Sequence, residues 1–243
     1  MVKILVANPN RNKDLTEMFM KSARKNITNP DTELIPFTNP LGSLHCDCYF
    51  ADYQSTWSFI RALLEEVEKS KPDAVVIAGF GNFGIFALKE ALDIPCLSIA
   101  EISQTIACTL GHKYSILTVL KSNVPYQEDL VKLLCFQEKC ASVRGMNVDT
   151  MTAKTSEETK ERLKKEIETI ILEDRAEVVV LGGARFCVYA DELSKEIGIP
   201  ILDPVDVTVK MAEMYVQTGL CQSKRGKFSN PPQKLNDYFW MGN

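Results

Sequence analysis

The sequence predicts an α/β protein made of two pseudo-symmetric Rossmann-like lobes, each with a parallel sheet, that close on a shared cleft. Two observations carry this expectation. Short runs rich in Val, Ile and Leu alternate with amphipathic helical stretches, the pattern of a parallel sheet covered by helices on both faces. The chain also repeats itself: Asp73-Ala-Val-Val-Ile-Ala-Gly79 lines up with Glu177-Val-Val-Val-Leu-Gly-Gly183 at an offset of 104 residues.

In chain order, buried strands are expected at residues 3–7, 74–78, 96–100, 114–119, 177–181 and 201–203. Each is short, apolar and flanked by Gly, Pro or Asn. Helical periodicity appears at 56–69, where Ile60, Leu63, Leu64 and Val67 share a face. It returns at 156–174 with Leu163, Ile167, Ile170 and Ile171, preceded by Ser156 as an N-cap and by Glu157 and Glu158 in the first turn. Each copy of the repeat continues into a helix, 85–92 or 189–196, and then into Ile-Pro before another strand: Ile94-Pro95-Cys96 and Ile199-Pro200-Ile201. Strands at 3–6 and 114–117 open the two halves. The expected division is residues 1–105 plus 208–243 for the first lobe and 106–207 for the second.

The 243 residues, 45% hydrophobic and 25% charged, are ordinary for a globular chain that buries a sizeable core. A net charge of −4 argues against a nucleic-acid partner, and Lys224, Arg225 and Lys227 read as a solvated tail. The apolar run at the amino terminus is too short for a signal peptide, and no stretch approaches the ~20 apolar residues of a membrane-spanning helix. Eight cysteines without a secretion signal indicate free thiols in a reducing compartment, so a cytoplasmic location and no membrane partner are expected.

Ligands of open α/β sheets bind beyond the carboxyl ends of the strands. Two facing lobes would bring Asn8, residues 79–82, Thr118 and residues 183–186 around one cleft, where helix N-termini offer N–H groups to a carboxylate or another oxyanion.

These residues resemble the Asp/Glu/hydantoin racemase superfamily, and most closely its hydantoin and allantoin racemase branch. Ile4-Leu5-Val6-Ala7-Asn8-Pro9-Asn10 is similar to that branch's opening strand and turn. Gly79-Phe80-Gly81-Asn82-Phe83-Gly84 resembles its first catalytic loop, usually Cys-Phe-Gly-Asp-Pro-Gly. Leu181-Gly182-Gly183-Ala184 resembles the second, usually Leu-Gly-Cys-Ala followed by Gly-Met, where this chain has Arg185-Phe186. The resemblance implies an isomerase that uses no cofactor and acts on a small-molecule substrate. In that chemistry two cysteines on opposite sides of a carbon acid remove and return its proton. Both cysteine positions are glycine here, Gly79 and Gly183, and glycine moves no proton. The expectation is therefore proton-transfer chemistry on a small carboxylate or cyclic amide by a route without paired cysteines. A decarboxylase, lyase or hydrolase on the same cleft, or a non-catalytic small-molecule binder, stands as the alternative.

Among the side chains near that cleft, Cys187, Tyr189 and Glu101 are the catalytic candidates. Asn8, Gly79, Phe80, Asn82, Thr118, Gly183, Ala184 and Arg185 are the candidates for binding substrate. Cys187 lies about one helical turn beyond Gly183. Arg185 offers a bidentate clamp for a carboxylate. Glu101 and Asp203 end matching strands, and capping of the following helix competes with a role as general base. The run 79–84 also satisfies G-x-G-x-x-G, but it follows a late strand of its half, so dinucleotide binding is the weaker reading. His45-Cys46-Asp47-Cys48 lacks the second ligand pair of a zinc site, and no metal is expected. With His45 and His112 the only histidines, a Ser-His-Asp hydrolase is poorly supported. The loop at 39–53 suits a lid over the cleft or an oligomer contact, which leaves a homo-oligomer open.

Overall fold

The computed structural model describes residues 1–27, 29–146 and 157–238. Two four-stranded, wholly parallel sheets follow one another along the chain with the same strand order. The first comprises β1 (Val2–Asn8), β2 (Thr32–Thr38), β3 (Ala74–Ile77) and β4 (Cys96–Ser98), ordered β2-β1-β3-β4. The second comprises β5 (Tyr114–Thr118), β6 (Cys140–Gly145), β7 (Val178–Leu181) and β8 (Ile201–Leu202), ordered β6-β5-β7-β8. Leu5 lies opposite Val75 in one sheet and Ile116 opposite Val180 in the other, the register expected of a duplicated unit.

Because parallel strands send alternate residues to opposite faces, each sheet needs two helical layers. In the first lobe Ile4, Val6 and Val76 pack on α1 (Lys13–Arg24), α4 (Ile99–Leu110) and α8 (Pro204–Thr218) through Phe19, Ile102 and Val209. Leu5, Ala7 and Ile77 face the other way, onto Phe59 and Leu63 of α2 (Tyr49–Ser70) and Leu88 of α3 (Ile85–Ala91). In the second lobe Leu117 and Val179 pack on Leu163 and Ile167 of α6 (Glu157–Thr169) and Leu193 of α7 (Ala190–Ile197). The opposite face, with Tyr114, Ile116 and Val180, meets Val131 of α5 (Val124–Leu133) and Ala107 of α4. Helix α4 thus serves both lobes, with Ile102 in one core and Ala107 in the other.

Several elements differ from the sequence expectation. The strands β2 and β6 and helices α1 and α5 were not among the expected elements, and α4 and α8 were expected only as the helices following Glu101 and Asp203. The run expected as strand to residue 100 stops at Ser98, whose hydroxyl accepts from the Ala100 N–H and starts α4 at Ile99. The helix expected to run to 174 changes after Thr169 into a π-helical turn, Ile170–Asp174. Ser156, expected to cap it, lies outside the described residues. The basic tail is not simply solvated: Lys224 Nζ donates to the Lys89 and Glu90 carbonyls at 2.8 Å each. Among the described residues, no helix is long and apolar enough to cross a membrane.

Candidate active site

Two turns, one at the end of each central repeat strand, build the site. After β3 the chain bends at residues 78–84. The Ala78 N–H is held by the Ala7 carbonyl, and the Phe80 carbonyl accepts from Gln127 Nε2 of α5 at 2.8 Å. Phe83 and Gly84 both sit in the left-handed region, at φ 38° and 71°, before α3 begins. Such a conformation costs a non-glycine residue roughly 1–3 kcal/mol. After β7 the Gly182 N–H donates to the Leu117 carbonyl, and a tight turn follows in which the Phe186 N–H bonds back to the Gly183 carbonyl, both at 2.9 Å.

Both turns wall a single cavity of about 140 Å³ between the lobes. A Cβ placed on Gly182 would stand 3.5 Å from Phe80 Cδ1, a measure of how closely the turns approach. Three contacts hold the lobes together above them. Tyr126 of α5 donates to Asp52 of α2 at 2.6 Å and accepts the Asn82 N–H at 3.2 Å, while Tyr49 donates to Asp129 at 3.0 Å.

The cavity gathers Gly79, Phe80, Thr118, Gly183, Ala184, Arg185 and Cys187 from the residues singled out in the sequence. Four others stand outside its wall. Asn8 is fully buried, with Nδ2 on the Asn12 carbonyl and Thr16 Oγ1, where it anchors the start of α1. Asn82 donates its backbone N–H to Tyr126 of α5 and is not part of the wall. Glu101 belongs to the first turn of α4 and pairs with Lys89 at 2.5 Å. Tyr189 closes a short 3-10 turn and packs on the second-lobe core, because α7 begins only at Ala190. Asp203 caps α8, accepting from the Val205 and Asp206 N–H groups, whereas Ser98 and not Glu101 caps α4.

Val119, Asn123 and Gln127 were not among the candidates and also line the cavity, and His45, Cys46 and Asp47 close it from the 39–48 loop, part of the segment expected to serve as a lid or an oligomer contact. Gln127 could not have been found from pattern alone, since its role depends on α5 of one lobe reaching the first turn of the other.

The thiols of the wall are held in their protonated form. Burial pushes Cys187 far above its ordinary value, and the neighbouring Asp203 carboxylate adds to this. Burial likewise pushes Cys46 up to about 11. The space beside Gly79 and beside Gly183 is already taken. A Cβ on Gly79 would lie 2.5 Å from Phe83 Cε2 and 2.6 Å from Pro9 Cγ, and one on Gly183 would run into Val119 Cγ2. Among the described residues no cluster of three or more His, Cys, Asp or Glu could hold a metal ion.

Residues 4–212 match the model of the Asp/Glu/hydantoin racemase family. The chain belongs to that family. It is similar to the hydantoin racemase of Pseudomonas sp. (strain NS671), with 32% identity over 237 residues that cover 96% of this chain and 93% of the relative. The hydantoin racemase of Paenarthrobacter aurescens is 31% identical, over 96% and 99% of the two chains. Among solved structures, the allantoin racemase of Pseudomonas fluorescens superposes with a TM-score of 0.88 at 31% identity, covering 96% of this chain and 98% of that one.

Proposed function

We propose that this racemase-family chain acts on a small carboxylate or cyclic amide as a carbon acid, without a cofactor and by a route that does not use paired thiols. The observation that carries this reading is the filling of both would-be thiol positions. Phe83 and Pro9 occupy the space beside Gly79, and Val119 occupies the space beside Gly183, while the cavity between them stays open. The family's two-sided site is therefore kept in outline and rebuilt in its chemistry.

Two groups on opposite lobes can exchange a proton there. Cys187, kept as a thiol by burial and Asp203, suits a proton donor. His45, on the loop of the first lobe, brings an imidazole into the same wall, the side chain most often used for general acid–base work. Negative charge developing on the substrate would meet the Gly183 and Ala184 backbone N–H groups.

The test is proton exchange in deuterium oxide, followed by NMR, across hydantoins, N-acyl amino acids and free amino acids. Deuterium appearing at the α-carbon of one class, and lost in Cys187→Ala or His45→Gln, supports the reading. The second reading, a binder, draws on the absence of a thiolate at Cys46 and Cys187. Ligand-induced stabilisation with no exchange in any class would favour it.

A further inference from the structure

The cavity wall holds two polar groups that no described residue satisfies, and they lie on different elements. Arg185 is half-buried at the second turn and makes no ion pair or hydrogen bond to any described residue. Lys89 holds Glu101, Lys160 holds Glu192 and Glu196, and Arg144 holds Asp174, so these cations are answered within the protein where Arg185 is not. Gln127, only 3% exposed, is fixed by its Nε2 on the Phe80 carbonyl, which settles the orientation of the amide, and its Oε1 is buried with no donor. A buried acceptor without a donor costs about 1–3 kcal/mol, so its retention calls for an explanation.

From this pairing we infer that the cavity is a site for an open-chain carboxylate that also carries an amide or ureide N–H, and that Arg185 makes it prefer such an anion over a neutral cyclic amide. The inference deepens the proposed function and rests on its reading of the cavity as the substrate site. The guanidinium fork receives the carboxylate in two parallel hydrogen bonds, the arrangement that separates arginine from lysine. Gly183 and Ala184 adjoin Arg185 in the same turn and line the same cavity. At the other end the ligand N–H supplies the donor that Gln127 Oε1 lacks. A carboxylate answers Arg185 better than a carbonyl does, because a charged acceptor makes a hydrogen bond about twice as strong as a neutral one.

Among the described residues Asp47 is the one carboxylate side chain in the wall, and it stands on the 45–47 loop of the first lobe. The cavity is thus electrically polar, cationic toward the second lobe and anionic toward the first. That arrangement orients a ligand with a single negative charge and disfavours a second one near Asp47.

Titration calorimetry on the intact chain tests this with three matched probes: N-acetylalanine, its neutral primary amide and 5-methylhydantoin. N-acetylalanine should bind at least tenfold more tightly than the other two. Arg185→Met should remove that preference while leaving the affinity for the amide within about twofold, and Arg185→Lys should restore part of it. Gln127→Leu should weaken N-acetylalanine and its amide together, with circular dichroism checking that the fold survives. Equal binding of acid and amide, or an acid preference that persists in Arg185→Met, overturns the inference and leaves the carbon-acid reading standing. Failure of all three probes to bind overturns both.

Discussion

The ring of Phe83 stands where a side chain on Gly79 would have to go, with Cε2 2.5 Å from the position of a Cβ at that glycine. The ring is held there by a backbone at φ 38° and is 4% exposed, so it has little freedom to yield. Gly183 is crowded by Val119 alone, since its next neighbour, on Phe186, is at an ordinary 3.4 Å. Gly183→Cys should therefore cost about 1–3 kcal/mol, the usual penalty of overpacking. Adding Val119→Ala should raise the urea midpoint above that of the single variant. A Gly183→Cys protein as stable as the parent would refute this crowding.

A second consequence concerns activity. Because each glycine is backed by a different neighbour, Gly79→Cys with Gly183→Cys should give no measurable hydantoin racemisation. Relief of both contacts, by Phe83→Ala and Val119→Ala in the same protein, is the minimum needed before thiols could approach a substrate. Polarimetry on single enantiomers checks this, and clear racemisation by the double variant alone would show that the turns move more easily than their packing indicates.

How far the sequence reached follows the range of the interactions involved. The strand Val178–Leu181 and its counterpart Ala74–Ile77 are buried on both faces, so their apolar runs declare them locally, and the repeat then orders the sheets. The cleft followed from topology. Glu101 was expected at a strand end because nothing in the apolar run 96–100 marks the switch to helix. Only the cap by Ser98 does, and it places the carboxylate beside Lys89. Strand β2 was hidden for a different reason: it is an edge strand of half-buried residues containing Pro36, so it lacks the continuous apolar signal. The approach of Gln127 and Val119 to the cavity depends on how the two lobes meet, which local periodicity does not encode.

Tyr126 should matter to the closure of the cleft. Its hydroxyl donates a hydrogen bond to Asp52 at 2.6 Å and accepts one from the Asn82 N–H, so one atom ties α5 to both α2 and the first turn. In Tyr126→Phe, Asp52 keeps the Thr56 hydroxyl but loses its partner from the other lobe. Leaving such buried groups unpaired costs about 1–3 kcal/mol. Urea denaturation monitored by tryptophan fluorescence measures it, and a loss of only a few tenths would mean that water replaces the hydroxyl.

The cysteines should separate by reactivity. Cys48 and Cys135 are exposed, whereas Cys96 and Cys187 are buried and pushed upward by that burial, Cys96 to about 12. Since the thiolate is the species that reacts, brief alkylation of the native protein at neutral pH should label Cys48 and Cys135 first. Peptide mass spectrometry reads the order. Early labelling of Cys187 would reveal an activated thiol and reverse its assignment as a proton donor.

The last prediction concerns pH. Burial raises Asp203 above its ordinary 3.8, although Ser22 and the α8 amides that it caps pull the other way. A carboxylate whose folded value is raised binds its proton more tightly in the native protein than in the unfolded chain. Its stabilising contribution is therefore complete below about pH 3.8 and is lost as the pH climbs through the raised folded value. Asparagine keeps an oxygen to cap α8 but has no charge to desolvate. Relative to Asp203→Asn, the parent should be favoured at pH 4 and should lose that advantage by pH 7.5, with the difference measured by urea unfolding at both values. Parallel stabilities at the two pH values would mean that the carboxylate is solvated in the native state, and that the proton on Cys187 is held by burial without help from Asp203.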